Sequence, residues 1–312
     1  METNDTEIFE SYSPQAKVTF CCGDCRRLLA QLPAESAQLI ITSPPYNIGK
    51  HYEHRRALDA YVAEQDEVIG LCVERLQDGG SIVWQVGNYV DNGAIVPLDI
   101  LLYPSFVNRG LLLRNRVIWH FEHGLHCRKR FSGRYEVALW FTKGDDYYFN
   151  LDPVRIPQKY PGKRYFRGPR AGQYSCNPLG KNPGDFWEAE QEEGVDDVWH
   201  IPNVKHNHVE KTIHPCQFPV ELVERFVLST TKPGDLVVDP YAGVGSTLVA
   251  AVLHGRRAAG ADIVEDYVRI GRQRIVAALR GELRTRPMNR PIYQPAATSR
   301  LVLRNQPEQA AS

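Results

Sequence analysis

Two short segments hold residue types that could do chemistry. The run Asp239-Pro240-Tyr241-Ala242-Gly243-Val244-Gly245-Ser246-Thr247 follows an apolar stretch and opens a helical pattern. A G-x-G turn between strand and helix lets a ligand approach the backbone closely. The helix N-terminus then offers free N–H groups and a partial positive charge to a carboxylate or phosphate. By itself the turn also fits plain strand-to-helix packing, or a dinucleotide site. Against the dinucleotide site, Leu248 stands where the third fingerprint glycine belongs. The next strand ends at Asp262, an acid suited to ribose hydroxyls, which keeps a nucleoside-containing cofactor open.

The second segment is Thr42-Ser43-Pro44-Pro45-Tyr46, directly after the apolar Leu39-Ile40-Ile41. Two prolines after a strand hold a rigid extended loop, and each removes a backbone donor. The Ser43 hydroxyl and Pro44 carbonyl become fixed acceptors beside the Tyr46 ring. Such a set can grip an exocyclic amine by its N–H groups and stack the ring that carries it.

Elements that could position these segments are legible in the periodicity. Strands are expected at Lys17 to Cys22, Gln38 to Thr42, Ser81 to Val86, Val117 to Phe121 and Val137 to Phe141. A helix from Leu58 to Leu76 presents Tyr61, Val68, Ile69 and Cys72 on one face, with Gly79-Gly80 as its stop. Toward the C-terminus, helix (Phe218 to Ser229), strand (Leu236 to Asp239), helix (Thr247 to His254), strand (Arg257 to Ile263) and helix (Val264 to Arg280) predict a parallel sheet covered by helices.

Between these halves apolar periodicity fades. The stretch from Ile156 to Arg170 carries Lys159, Lys163, Arg164, Arg167 and Arg170 without an acid, with Tyr160, Tyr165 and Phe166 interleaved. Glu188 to Asp197 is the opposite, acidic without a base. The chain's 37 Lys+Arg therefore cancel 37 Asp+Glu only on average, and the zero net charge does not exclude an anionic partner. Arg128, Lys129, Arg130 and Arg134 form a second basic cluster.

At 312 residues the chain can bury a large core, and no apolar run approaches the roughly 20 residues of a membrane span. The polar start without signal-peptide character and the 7 scattered cysteines predict a soluble cytoplasmic protein with reduced thiols. The Cys22-to-Cys25 pair has no second pair or nearby histidine at finger spacing, so no metal is expected.

With these pieces in order, the chain resembles the β-class amino-group DNA methyltransferases, in which the catalytic motif precedes the cofactor motif. The resemblance covers most of residues 17 to 280 and rests on Gly23-Asp24, the TSPPY of 42 to 46, the basic middle, His214-Pro215-Cys216-Gln217-Phe218-Pro219 and the DPYAGVGST of 239 to 247. It implies an α/β, Rossmann-like methyltransferase fold in permuted order with an inserted target-recognition region. The expected divisions are a flexible N-terminus (1–15), a catalytic half (16–145), target recognition (146–211), a cofactor half (212–284) and a flexible tail (285–312).

The resemblance implies S-adenosyl-L-methionine as cofactor. Asp239, Pro240, Tyr241, Gly243, Gly245, Ser246 and Thr247 would surround its methionine part, Asp262 its ribose and Asp24 its adenine edge, while Thr212, His214, Pro215 and Phe218 would close over the carboxylate. Ser43, Pro44, Pro45 and Tyr46 would take a base flipped out of duplex DNA. The two basic clusters would face that DNA. Within the family, serine at the first motif position is typical of cytosine-N4 methylation and aspartate of adenine-N6, with exceptions, so adenine-N6 stays the alternative. Pro215-Cys216 alone could suggest a cytosine-C5 nucleophile. It lies inside the HPCQFP segment and no Glu-Asn-Val partner occurs, so Cys216 is read as a packed small residue. A location in a bacterial or archaeal nucleoid, a homodimer and a separate cognate restriction endonuclease accompany the resemblance as expectations.

Overall fold

A computed structural model describes residues 8–49, 55–121, 126–158, 160–187, 201–205 and 208–288. In chain order the elements are β1 (Ile8–Phe9), β2 (Val18–Cys22), α1 (Cys25–Gln31), β3 (Ala37–Thr42), α2 (Leu58–Arg75), β4 (Leu76–Val86), β5 (Asn88–Asp91), β6 (Ala94–Pro97) and α3 (Leu98–Val107). There follow β7 (Leu112–His120), β8 (Tyr135–Thr142), β9 (Phe186–Trp187), α4 (Val220–Thr230), β10 (Leu236–Asp239), α5 (Ser246–Leu253), β11 (Arg257–Asp262) and α6 (Glu265–Leu279).

The main sheet has the order β1-β2-β11-β10-β3-β4-β8-β7-β9, and β5 and β6 form a separate hairpin. Its centre is buried on both faces, which explains why Leu39-Ile40-Ile41 and Leu236-Val237-Val238 read as unbroken apolar runs. Leu39, Ile41 and Val237 point into one core with α4, α5 and α6. Ile40 and Val238 point into a second core with α1, α2 and α3.

Several expectations need correction. The parallel pairing expected of the C-terminal strands holds for β10 and β11, whereas the sheet as a whole is mixed, since β8 runs antiparallel to both β4 and β7. Gly79-Gly80 does not stop α2, which ends at Arg75 when the Leu76 N–H turns back to the carbonyls of Cys72 and Val73. Gly79 serves β4 instead, with φ +72° and its N–H on the Lys143 carbonyl at 2.8 Å. A Cβ there would meet the Asp146 carbonyl at 2.6 Å.

Order also extends past both expected ends. β1 pairs with β2, and Arg272 reaches Glu10 at 3.0 Å. At the other end Arg286 is buried against Glu221. Lys159, the acidic run Glu188 to Asp197 and the tail beyond residue 288 lie outside the described residues. Among those described, no helix is long and apolar enough to cross a membrane.

Strands β10 and β3 pair in parallel, yet β3 continues through α2 to β4 on one side while β10 continues through α5 to β11 on the other. That divergence opens a crevice beyond the carboxyl ends of the two strands, the usual ligand position in open α/β sheets.

Candidate active site

Both chemically suggestive segments leave the carboxyl ends of adjacent central strands. They are tied together where they leave: the Thr42 hydroxyl donates to Asp239 Oδ1 at 2.6 Å. The same oxygen accepts the Tyr241 N–H at 3.1 Å, so a carboxylate with no exposure fixes both loops. Desolvation pushes the Asp239 carboxyl up to about 6, against the pull of Thr247, Thr42 and the Tyr241 N–H.

A cavity of about 880 Å³ lies over these loops. Gly243 and Gly245 have φ of +53° and +75°, left-handed values that favour glycine. A Cβ on Gly243 would come within 3.3 Å of His214 Nε2, a tight contact to which the HPCQFP segment would have to yield by a few tenths of an ångström. The missing third glycine is compensated from the strand side. A Cβ on Gly260 of β11 would strike Leu248 Cδ1 at 2.7 Å, so the room that Leu248 needs is left by the sheet.

Asp262 lines the cavity and accepts the N–H groups of Gly243 at 3.0 Å and Val264 at 2.8 Å. Burial raises its carboxyl pKa. Asp24 lines the cavity too and caps α1 by accepting the Arg26 N–H at 2.9 Å. The Arg26 guanidinium clasps this carboxylate and holds it below the ordinary range. His214, Pro215 and Phe218 also line the cavity. Thr212 stands behind them and orders the segment: its N–H and hydroxyl donate to Gln217 Oε1 at 3.2 and 2.7 Å. Thr212 Oγ1 in turn accepts the His214 N–H at 3.2 Å. Cys216, expected to be packed, is exposed on the cavity wall, turned out where its N–H donates to His214 Nδ1 at 3.2 Å.

Of the DPYAGVGST residues, Pro240, Tyr241, Ala242, Gly243, Val244 and Ser246 line the cavity, while Asp239, Gly245 and Thr247 are buried without lining it. The chemistry of this set fits S-adenosyl-L-methionine. An open α5 N-terminus with Ser246 would hold the carboxylate, and Asp262 would hold the ribose hydroxyls.

Ser43, Pro44, Pro45 and Tyr46 line the same cavity. Their loop is pinned where the Tyr61 hydroxyl donates to the Pro45 carbonyl at 2.9 Å. Beyond it Asn47, at φ +58°, exchanges two hydrogen bonds with the Arg56 backbone. Three residues that sequence reasoning missed complete this end. Glu136 Oε2 accepts the Tyr46 hydroxyl at 3.2 Å and Gln85 Nε2 at 2.6 Å. Gly87 makes room for the tyrosine, since a Cβ there would lie 3.0 Å from Tyr46 Cε2. An acid heading the apolar strand β8 was the single available signal.

Of the basic residues, Arg130 lines the cavity mouth, and Arg128, Lys129 and Arg134 share its loop. Phe131, in the middle of that loop, is 99% exposed. Lys163, Arg164, Arg167 and Arg170 lie on a separate exposed arm, stiffened by an antiparallel bridge between Arg164 and Tyr174. Arg164 stacks over the Tyr174 ring at 4.1 Å.

Comparison with known proteins places this geometry. A family model described as DNA methylase matches residues 37–273. The chain is 48% identical over 252 residues to the type II methyltransferase M.BglII of Bacillus subtilis, covering 80% of this chain and 67% of that one. It is 29% identical over 265 residues to the DNA adenine methyltransferase YhdJ of Escherichia coli, covering 83% of each. A Thermus thermophilus protein solved with S-adenosyl-L-methionine superimposes with a TM-score of 0.58 at 27% identity, over 84% of this chain and 94% of that one.

Proposed function

The chain belongs to the N6/N4 DNA methylase family and is an S-adenosyl-L-methionine-dependent DNA methyltransferase of the amino-methylating class; from that premise we propose that its substrate atom is N4 of a cytosine flipped out of duplex DNA. The observation that carries the choice of base is Ser43, a neutral hydroxyl at the first position of the catalytic loop and on the cavity wall.

S-adenosyl-L-methionine supplies a methyl group activated on a sulfonium. The protein's own residues do the rest by positioning, which suits a displacement that needs no covalent enzyme intermediate. Tyr46 stacks on the extruded ring. Ser43 Oγ and the Pro44 carbonyl accept the two amine hydrogens and turn the nitrogen lone pair toward the methyl. Tyr241, held by Gln65 Nε2 at 3.1 Å, closes the wall between the two half-sites. The rim loop with Arg130 and Phe131 faces the duplex, where an exposed aromatic ring can fill the gap left by the extruded base. Lys163, Arg164, Arg167 and Arg170 meet phosphates or base edges further along.

The adenine-N6 reading has one observation in its favour, the similarity to an adenine enzyme, because adenine offers the same amine beside a ring nitrogen. Digestion of methylated duplex to nucleosides followed by mass measurement separates the two. N4-methylcytosine is the expected product, and N6-methyladenine replaces the proposal. A cognate endonuclease belongs to the same proposal, supported by the type II relative, and a search of the neighbouring genes tests it; the homodimer that the resemblance implies is tested by sedimentation.

A further inference from the structure

Amine methylation leaves a proton to be disposed of. As the N–CH₃ bond forms and the S–CH₃ bond breaks, the nitrogen keeps both hydrogens and carries the positive charge until one leaves. Ser43 and Pro44 can hold those hydrogens, but neither a neutral hydroxyl nor a carbonyl can keep a proton. We infer that Ser43, Tyr46 and Glu136 form a proton relay, with the Glu136 carboxylate as terminal acceptor.

With Glu136 ionised, the direction of every bond in this chain is set. Ser43 Oγ and the Tyr46 hydroxyl are 3.0 Å apart, and either could donate. Tyr46 has one proton, and it points to Glu136 Oε2 at 3.2 Å. An ionised carboxylate accepts and does not donate. The contact between Ser43 and Tyr46 is therefore a donation by Ser43, which leaves the Ser43 oxygen presenting lone pairs to the cavity it lines. That is the polarity needed to receive an amine hydrogen. Ionised Glu136, reached through a tyrosine, sets Ser43 as an acceptor.

The balance closes without a further reagent. One amine proton passes to Ser43 Oγ, the serine proton to the Tyr46 oxygen, and the tyrosine proton to Glu136, which ends as a neutral acid and returns the proton to solvent after product leaves. Tyr46 keeps its stacking role, since the ring face and the hydroxyl are used by different partners. Burial pushes the Tyr46 phenol well above its ordinary value, so it relays a proton as a neutral phenol.

Around Glu136 stand Gln85 from β4, Tyr46 and Ser43 from the loop after β3, Lys205 from the loop before the HPCQFP segment, and Cys216 beside Tyr46. Burial raises the Glu136 carboxyl above the ordinary carboxylate range, while Gln85, Tyr46 and the Lys205 charge oppose the rise. The relay therefore works above that raised value and stalls below it. The inference rests on the amino-methyltransferase reading and holds for either base.

Single-turnover methyl transfer to duplex DNA, followed across pH, tests it, with the carboxyl infrared band of the cofactor-free protein as an independent readout of Glu136. In the wild type the rate should rise about tenfold per pH unit up to a plateau, at the pH where the infrared band titrates. Glu136→Gln should lose the band and the acid limb and slow transfer by about a hundredfold, with S-adenosyl-L-methionine affinity unchanged. Tyr46→Phe, which keeps the stack, should lose the limb as well, and Glu136→Asp should restore part of it. Retention of the wild-type rate and pH limb by Glu136→Gln, or by Tyr46→Phe if Glu136→Gln does not fold, overturns the relay. No methylated DNA from the wild-type protein overturns the underlying reading instead.

Discussion

Asp239 shows how one side chain can hold two loops together and cost stability while doing so. Its carboxyl is raised from 3.8 to about 6 by desolvation, so its stabilising contribution is fully present below the unfolded value and is lost as pH rises through the folded one. That difference corresponds to about 3 kcal/mol, expressed between about pH 4 and pH 6. Asp239→Asn keeps an oxygen for Thr42 and the Tyr241 N–H. It should remove this pH dependence and leave the protein as stable or more stable at pH 7.5, as read by urea denaturation at pH 4 and pH 7.5. Gly87→Ala acts on the other side of the site. With a methyl 3.0 Å from Tyr46 Cε2, the ring must move, so methyl transfer should fall at least tenfold while cofactor affinity, read by calorimetry, stays within about twofold. Residues of this kind differ in how legible they are. Ser43 to Tyr46 announce themselves because two prolines and an aromatic follow a strand. Glu136 and Gly87 do not, because their importance comes from a neighbour that is distant in sequence: Tyr46 and Glu136 are separated by 90 positions.

At the scale of elements, periodicity located β2, β3, α2, α4, β10, α5, β11 and α6 to within a few residues, because each buries one or both faces in an apolar core. It missed α3, whose sequence LDILLYPSFV holds Pro104 inside the helix and is apolar around its circumference. It also missed the β5–β6 hairpin, whose side chains are half exposed. The junction of α5 with β11 shows a rule satisfied from an unexpected side, since the glycine that allows close packing is Gly260 in the strand. Gly260→Val should therefore overpack against Leu248 and Ala242 and lower stability by about 2 kcal/mol, with lost cofactor binding as the functional readout. The tail matters for the same reason. Arg286 is buried and pairs with Glu221, which Arg225 also holds at 2.9 Å within α4. Removing one partner of a buried ion group is costly, so Arg286→Ala should destabilise the protein by about 3 kcal/mol in chemical denaturation. A loss below about 0.5 kcal/mol would contradict the pinning of the tail segment.

For the whole molecule, a net charge of zero and a pI of about 7.1 misdescribe the basic surface proposed to meet DNA. Sequence order alone could show that basic and acidic runs are separate. It also separated the two basic clusters, but could not show that Arg130 of the Arg128 to Arg134 loop reaches the cavity while Lys163 to Arg170 stand on an exposed arm, because that placement depends on which strands are neighbours. The two groups should therefore fail differently. Each phosphate contact contributes about 0.9 to the slope of log affinity against log salt, whatever the protein's overall charge. Replacing Lys163, Arg164, Arg167 and Arg170 with alanine should flatten that slope by up to about 3.6 and weaken binding to all duplexes, while transfer from the saturated complex stays near wild type. Arg130→Ala should change the slope by about 0.9 at most and slow transfer. Phe131→Ala should slow transfer to paired bases while sparing a target base already unpaired by a mismatch, because its role begins only when a stacked base must leave. Fluorescence of 2-aminopurine at the target position separates extrusion from affinity. A salt response flat in the wild type, or identical losses from arm and rim, would remove the assignment of these two surfaces to DNA.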